Sequence, residues 1–147
     1  MSDLDALLSR SIEAVTITVD PASVYAYTLA VGDRNPAYPQ SPDDAQGKIA
    51  PPSFAAVYAL GAGSLSLMAA GIDPSRLIHA GQEFTWDRPI RVGEKLSAQG
   101  RVAEVTRKRS LQFVSAEAVV TDETGAQVCR SLATILVLPD PAAKPAE

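Results

Sequence analysis

The sequence predicts an α+β domain in which a curved antiparallel sheet wraps around a long central apolar helix. From Ser53 to Ile72 there is no charged residue, and after Asp73-Pro74 the pattern changes to four strand-like segments. The connections between the last three strands are short, which makes them an antiparallel meander. A sheet bent around the helix buries it on nearly every side, and that accounts for a helix with no polar face. The 147 residues, 46% hydrophobic and 20% charged, suit one domain with its own core.

Each element has its own signal. Residues 1–12 read as a short leading helix or an arm, ahead of a domain spanning 13–138. Glu13 to Val19 alternates β-branched residues with others, as a strand does. Asp20-Pro21 supplies an N-cap carboxylate and a proline at the first helical position. That helix runs through Val24, Tyr25, Leu29 and Val31 to Gly32. Asp33 to Pro52 is a long loop dense in Asp, Pro, Asn and Gln, the kind of loop that carries function. The apolar helix starts at Ser53 as N-cap and stops at Gly71. Its Gly61 and Gly63 each cost about 1 kcal/mol relative to alanine, which fits close packing against its backbone. Four strands follow at Leu77–Phe84, Lys95–Thr106, Leu111–Thr121 and Gln127–Leu138, with turns at Arg91 to Glu94, Arg107 to Ser110 and Asp122 to Gly125. The proline-rich tail, 139–147, reads as disordered. This arrangement is the hot-dog architecture.

Composition excludes several classes. A net charge of −4 gives no basic face for nucleic acid. The stretch from Ser53 to Ile72 is long enough to span a bilayer, yet it is rich in Gly, Ala and Ser and lacks basic anchors, so a buried helix is expected instead. The first residues, MSDLDALLSRS, have no basic region before an apolar core, and the lone Cys129 suits a reducing cytoplasm. His79 is the one histidine, too few ligands for a zinc site, and no cofactor is expected.

Three segments resemble the MaoC-like hydratase/dehydratase family. GDRNPAY, from Gly32 to Tyr38, is similar to its signature Gly-Asp-x-Asn-Pro-x-His, with Ala45 as the following alanine at one residue's extra spacing. IAPPSF (Ile49 to Phe54) and IHAGQEFTWDRPIRVGEKL (Ile78 to Leu96) resemble a branch whose signature reads Asn-Pro-x-Tyr, with Glu94 for the usual aspartate. That branch includes the non-catalytic subunits of (3R)-hydroxyacyl-ACP dehydratases and N-terminal halves of hydratases acting on CoA thioesters. The resemblance implies an aspartate at Asp33 and an asparagine at Asn35, with Tyr38 where active members carry their catalytic histidine. A phenol, ionising near pH 10 in water, is a poor general base at neutral pH, although it can donate a hydrogen bond. Asp33 is thus the candidate catalytic group, one member of an incomplete dyad. Asn35, Tyr38, Ser53, Phe54 and His79 are candidates for binding an acyl-CoA or acyl-ACP thioester.

Simpler roles are open at each position. Asp33 and Asn35 suit turns, Tyr38 half-buried packing, Ser53 a helix cap, His79 a structural hydrogen bond, and Phe84 and Trp86 strand packing or an interface. Arg107-Lys108-Arg109 suits a solvated hairpin turn or a dock for acidic groups. The expected function is a subunit of an (R)-specific enoyl-thioester hydratase or (3R)-hydroxyacyl-thioester dehydratase, forming the acyl-binding half of a double hot-dog with a histidine-bearing chain. A self-sufficient homodimeric enoyl-CoA hydratase and a non-enzymatic acyl-thioester-binding protein are the alternatives. A thioesterase lacks its usual carboxylate on the apolar helix.

Overall fold

The computed structural model describes residues 6, 8, 13–68, 71–108 and 111–139, with backbone only at 60, 61 and 63–66. The expectations for the N-terminal arm, the disordered tail, the Arg109 side of the hairpin, and packing at Gly61 and Gly63 fall outside the described residues. The chain forms β1 (Val15–Thr18), α1 (Pro21–Val31), α2 (Ala55–Met68), β2 (Leu77–Trp86), β3 (Lys95–Lys108), β4 (Leu111–Asp122) and β5 (Gln127–Val137). All pairings are antiparallel, in the order β1-β3-β4-β5-β2. The short β1 and the ten-residue β2 therefore form the two edges.

Alternation along the strands creates the core. Leu96, Ala98 and Val102 of β3, Val114, Ala116, Ala118 and Val120 of β4, and Cys129, Ser131, Ala133 and Val137 of β5 are buried. α2 packs against these three strands, with Phe54, Ala55, Tyr58, Ala59 and Ala62 in one cluster and Leu67 in a second. Small residues on the strands make room for the helix, because a closely approaching backbone leaves little volume for side chains. On the opposite face Glu117 is buried between Arg101 and Arg130, which pair with its two carboxylate oxygens. A buried carboxylate needs such partners to offset its desolvation.

Local signals account for α1. Asp20 caps its start, accepting from the Ser23 amide at 2.8 Å, and Gly32 ends it at φ +71°. Only Val24 and Thr28 of this helix are buried, while Leu29 and Val31 are exposed.

The central helix differs from expectation in two ways. It begins one residue later than expected, at Ala55, because Pro52–Phe54 forms a 3-10 turn in which the Phe54 amide donates to the Pro51 carbonyl. Ser53 lies within that turn and is not an N-cap. At the other end Gly71 is the expected stop: at φ +75° it donates its amide to the Met68 carbonyl, and the Ile72 amide donates to Leu67. Finally, the sheet does not cover it on all sides: Val57 is 55% and Met68 53% exposed. No helix among the described residues is long and apolar enough to cross a membrane. β1 is shorter than expected, whereas β2, β3 and β4 extend past their predicted ends because cross-strand pairing continues to Trp86, Lys108 and Asp122.

Candidate functional site

The loop after α1 is built from consecutive Asx turns. The Asp33 carboxylate accepts from the Asn35 amide at 2.9 Å, and the Asn35 side-chain oxygen accepts from the Ala37 amide at 2.9 Å. Such short polar side chains replace backbone partners in tight turns. Gln40 then donates to the carbonyls of Asn35 and Tyr38, Lys48 donates to the Pro36 carbonyl at 2.7 Å, and the Ile49 amide donates to Ala37. These straps press the Tyr38 side chain inward until it is 7% exposed.

Tyr38 lines a cleft of about 410 Å³ with Ile49, Ala50, Pro52, Trp86, Asp87, Arg88, Pro89 and Ile90. The walls are mainly apolar and aromatic, the usual character of a small-ligand site. Asp33 lies on a different cleft, of about 320 Å³, beside Tyr25, Thr28, Arg34 and Gln40. The fold therefore gives Asp33 and Tyr38 separate clefts within one chain. Asn35 is occupied with its turn. Phe54 sits in the core, edge-on to Tyr27 and Tyr58 with ring centroids at 5.3 and 6.0 Å, while Ser53 is exposed beside the cleft residue Pro52. His79 lies on β2, where its Nε2 is 3.2 Å from the Gln82 Oε1. The strand from His79 to Trp86 runs about 20 Å, so His79 is remote from the Tyr38 cleft of its own chain.

The opposite wall of the cleft comes from residues that sequence reasoning did not assign to the site. Trp86 packs on Phe84 at 5.5 Å, and Asp87 is fixed by a hydrogen bond from its amide to the Val128 carbonyl and one of 2.8 Å from the Gln127 side chain to its carboxylate. Arg88 forks onto Glu94 at 2.8 and 3.2 Å and reaches Asp122 at 3.1 Å, tying the β2–β3 connection to the end of β4. Hydrogen bonds from Thr124 and then from Arg88 bring the Asp122 pKa down to about 2. The signal was the run Trp86-Asp87-Arg88-Pro89, which marked the family resemblance without revealing which way its side chains turn. Burial, followed by the nearby Asp87, pushes the Cys129 thiol up to about 11, leaving it protonated at neutral pH. Among the described residues no three of His, Cys, Asp and Glu cluster to hold a metal.

This fold is shared by solved hot-dog proteins. The (3R)-hydroxyacyl-ACP dehydratase complex HadBC of Mycobacterium tuberculosis matches with a TM-score of 0.71 at 19% identity, covering 86% of this chain and 96% of that one. The R-hydratase PhaJ1 of Pseudomonas aeruginosa gives 0.66 at 20% identity (94% and 89%), and the ChsH1-ChsH2 complex of M. tuberculosis 0.68 at 20% (97% and 92%). The chain belongs to the family described as FAS1-like, dehydratase domain region, whose model matches residues 6–131. Among its relatives, a UPF0336 protein of Streptomyces griseus is 32% identical over 120 residues, covering 75% of this chain and 77% of the relative. One from Saccharopolyspora erythraea is 30% identical over 117 residues (75% and 74%). A third, from Clavibacter michiganensis, is 38% identical over 72 residues; that match spans 49% of this chain and about half, 48%, of the relative.

Proposed function

We propose that this chain is a subunit of an (R)-specific enoyl-thioester hydratase or (3R)-hydroxyacyl-thioester dehydratase, forming the acyl-binding half of a paired hot-dog. One observation carries the reading: the Tyr38 loop closes an apolar cleft, while Asp33 opens into another. Hydration requires one group to take a proton from water as it attacks the β-carbon and a route for a proton to the α-carbon; dehydration reverses both. A single chain with its carboxylate and phenol on separate clefts lacks such a pair. It retains a place for an acyl group. The ligand is an acyl-CoA or acyl-ACP thioester, and the compartment this reading assigns is the cytoplasm.

The missing proton carrier comes from a second hot-dog chain of the MaoC-like type that bears the histidine. The free edge of β2, with Trp86 39% and Ile78 45% exposed, supports pairing, as unpaired strand edges call for a cover. HadBC and ChsH1-ChsH2, which share the fold, are themselves complexes. The test mixes the purified chain with a histidine-bearing MaoC-like chain and follows hydration of crotonyl-CoA. Turnover above that of either chain alone is expected; full turnover by this chain alone overturns the division of labour.

A second reading, a pair of identical chains, is favoured by β2 itself. This edge strand carries Trp86 of the cleft at one end and His79, the sole histidine, towards the other.

A further inference from the structure

Strict alternation would place His79 with Gly81 and Glu83, on the face turned away from α2. The bulge between His79 and Gly81 shifts the register, so His79 lies opposite Ile135, while Gln82 and Trp86 lie opposite Ala133 and Cys129. These three β5 residues belong to the helix-facing side of the sheet. His79, Gln82 and Trp86 consequently share that inner face.

Hydrogen bonding selects the tautomer of a neutral imidazole here. The Gln82 Nε2 lies 2.8 Å from the Ser131 hydroxyl, 3.1 Å from the Glu83 carbonyl and 3.4 Å from the Leu132 carbonyl. Carbonyls only accept, so this is the amide's donor end, and its Oε1 must accept from His79. The nearby His79 Nε2, at 3.2 Å, therefore carries a hydrogen. A neutral His79 then presents Nδ1 as an acceptor, on an exposed residue of an edge strand. Ser131 is 2% exposed, so the chain of hydrogen bonds ties this exposed imidazole to the core.

The same strand supplies a recipient. If two copies of Leu77–Trp86 pair antiparallel about a central two-fold axis, Leu77 faces Trp86 and His79 faces Phe84. Trp86 of the second copy is then the diagonal neighbour of His79, about 8 Å away. An imidazole remote from its own cleft thus arrives beside the facing one. We infer that His79 serves the cleft of a second copy of this chain. There its Nδ1 accepts a hydrogen bond from the 3-hydroxyl group, or the attacking water, of a thioester held beside Tyr38 and Trp86. The inference rests on the identical-chain reading above.

Because His79 is the one histidine, its imidazole resonances report the geometry directly. Nitrogen-15-labelled wild-type chain is mixed with unlabelled Trp86→Ala chain and allowed to form mixed dimers. The labelled chain keeps its own Trp86, so a shift of the His79 signals reports the loss of a ring across the pair. Unshifted signals, or a native mass showing only monomer, overturn the inference. Trp86→Phe serves in the same way should the alanine variant fail to fold.

The second measurement titrates crotonyl-CoA. His79→Asn and Trp86→Ala homodimers should each bind about tenfold more weakly than wild type. Their equal mixture should regain wild-type affinity at about one site in four, since half the dimers are mixed and each mixed dimer has one intact site. No recovery in the mixture, with wild type binding normally, sinks the shared site. Failure of wild type to bind crotonyl-CoA sinks the acyl-thioester reading instead, and the resonance experiment still decides where His79 points.

Discussion

Tyr58 on α2 is 3% exposed, and its hydroxyl oxygen has no hydrogen-bond partner among the described residues. Burial, then the proximity of Cys129 and Glu94, raises its ionisation well above the ordinary phenol range, so the group stays neutral. An unpartnered buried hydroxyl carries its desolvation cost without a compensating bond. Tyr58→Phe keeps the ring contacts with Phe54 and should leave stability unchanged or raise it by about 1 kcal/mol. Urea unfolding checks this; a clear loss of stability would mean that the hydroxyl does have a partner. Asp122 is the opposite case. Its carboxylate accepts from the Thr124 hydroxyl and amide, the Ala126 amide and Arg88. With its pKa lowered from 3.8 to about 2, its contribution to stability is fully present above pH 4 and is lost as pH falls towards 2. Asp122→Asn should therefore be less stable than wild type at neutral pH, and the gap should narrow between pH 4 and pH 2. A gap that stays constant over that window would remove Asp122 from the acid response.

At the scale of elements, features carried by local chemistry were legible and features set by tertiary pairing were not. Asp20-Pro21 and Gly32 bound α1 in the sequence and do so in the fold. Gly32 lies at φ +71°, with open space where a Cβ would stand, so Gly32→Ala should cost about 1 kcal/mol through backbone strain alone. Thermal unfolding of that variant tests the cap apart from any packing. The four long strands were readable from alternation and turn residues, with ends off by a few residues because pairing carries them further. The β2 bulge was not readable: Ile78, His79, Ala80 and Gly81 look like an ordinary strand, and only pairing with β5 reveals the shift. Ser53 looked like a helix cap because serine favours that position, yet Pro51-Pro52 imposes a 3-10 turn first. The site was legible in part. Tyr38 was singled out from its loop, but the second wall, Trp86 to Pro89, depends on Arg88 being drawn to the nearby Glu94 and to Asp122 at the far end of β4.

For the molecule as a whole, the exposed apolar surface is distributed unevenly. Ile78 and Trp86 lie on β2, Leu29 and Val31 on α1, and Val57 and Met68 on α2, where the curved sheet leaves the helix open. Charged or very short strands protect many sheet edges from association. β1 fits that pattern with four residues, whereas β2 presents ten with a single charged side chain, Glu83. A strand of this kind is built to be covered, and two copies joined along β2 would extend the sheet from five strands to ten. On the identical-chain reading the chain should therefore run in native mass measurements at twice its 15.4 kDa, and its melting temperature should rise with protein concentration, because association stabilises by mass action. Ala80 is exposed at the bulge, in the middle of this edge, where a lysine would introduce charge without disturbing the core. Ala80→Lys should shift the population towards monomer, reduce the concentration dependence of melting, and leave the far-ultraviolet circular dichroism of the folded chain unchanged. If the lysine variant remains fully dimeric at the same concentrations as wild type, the pairing surface is not β2.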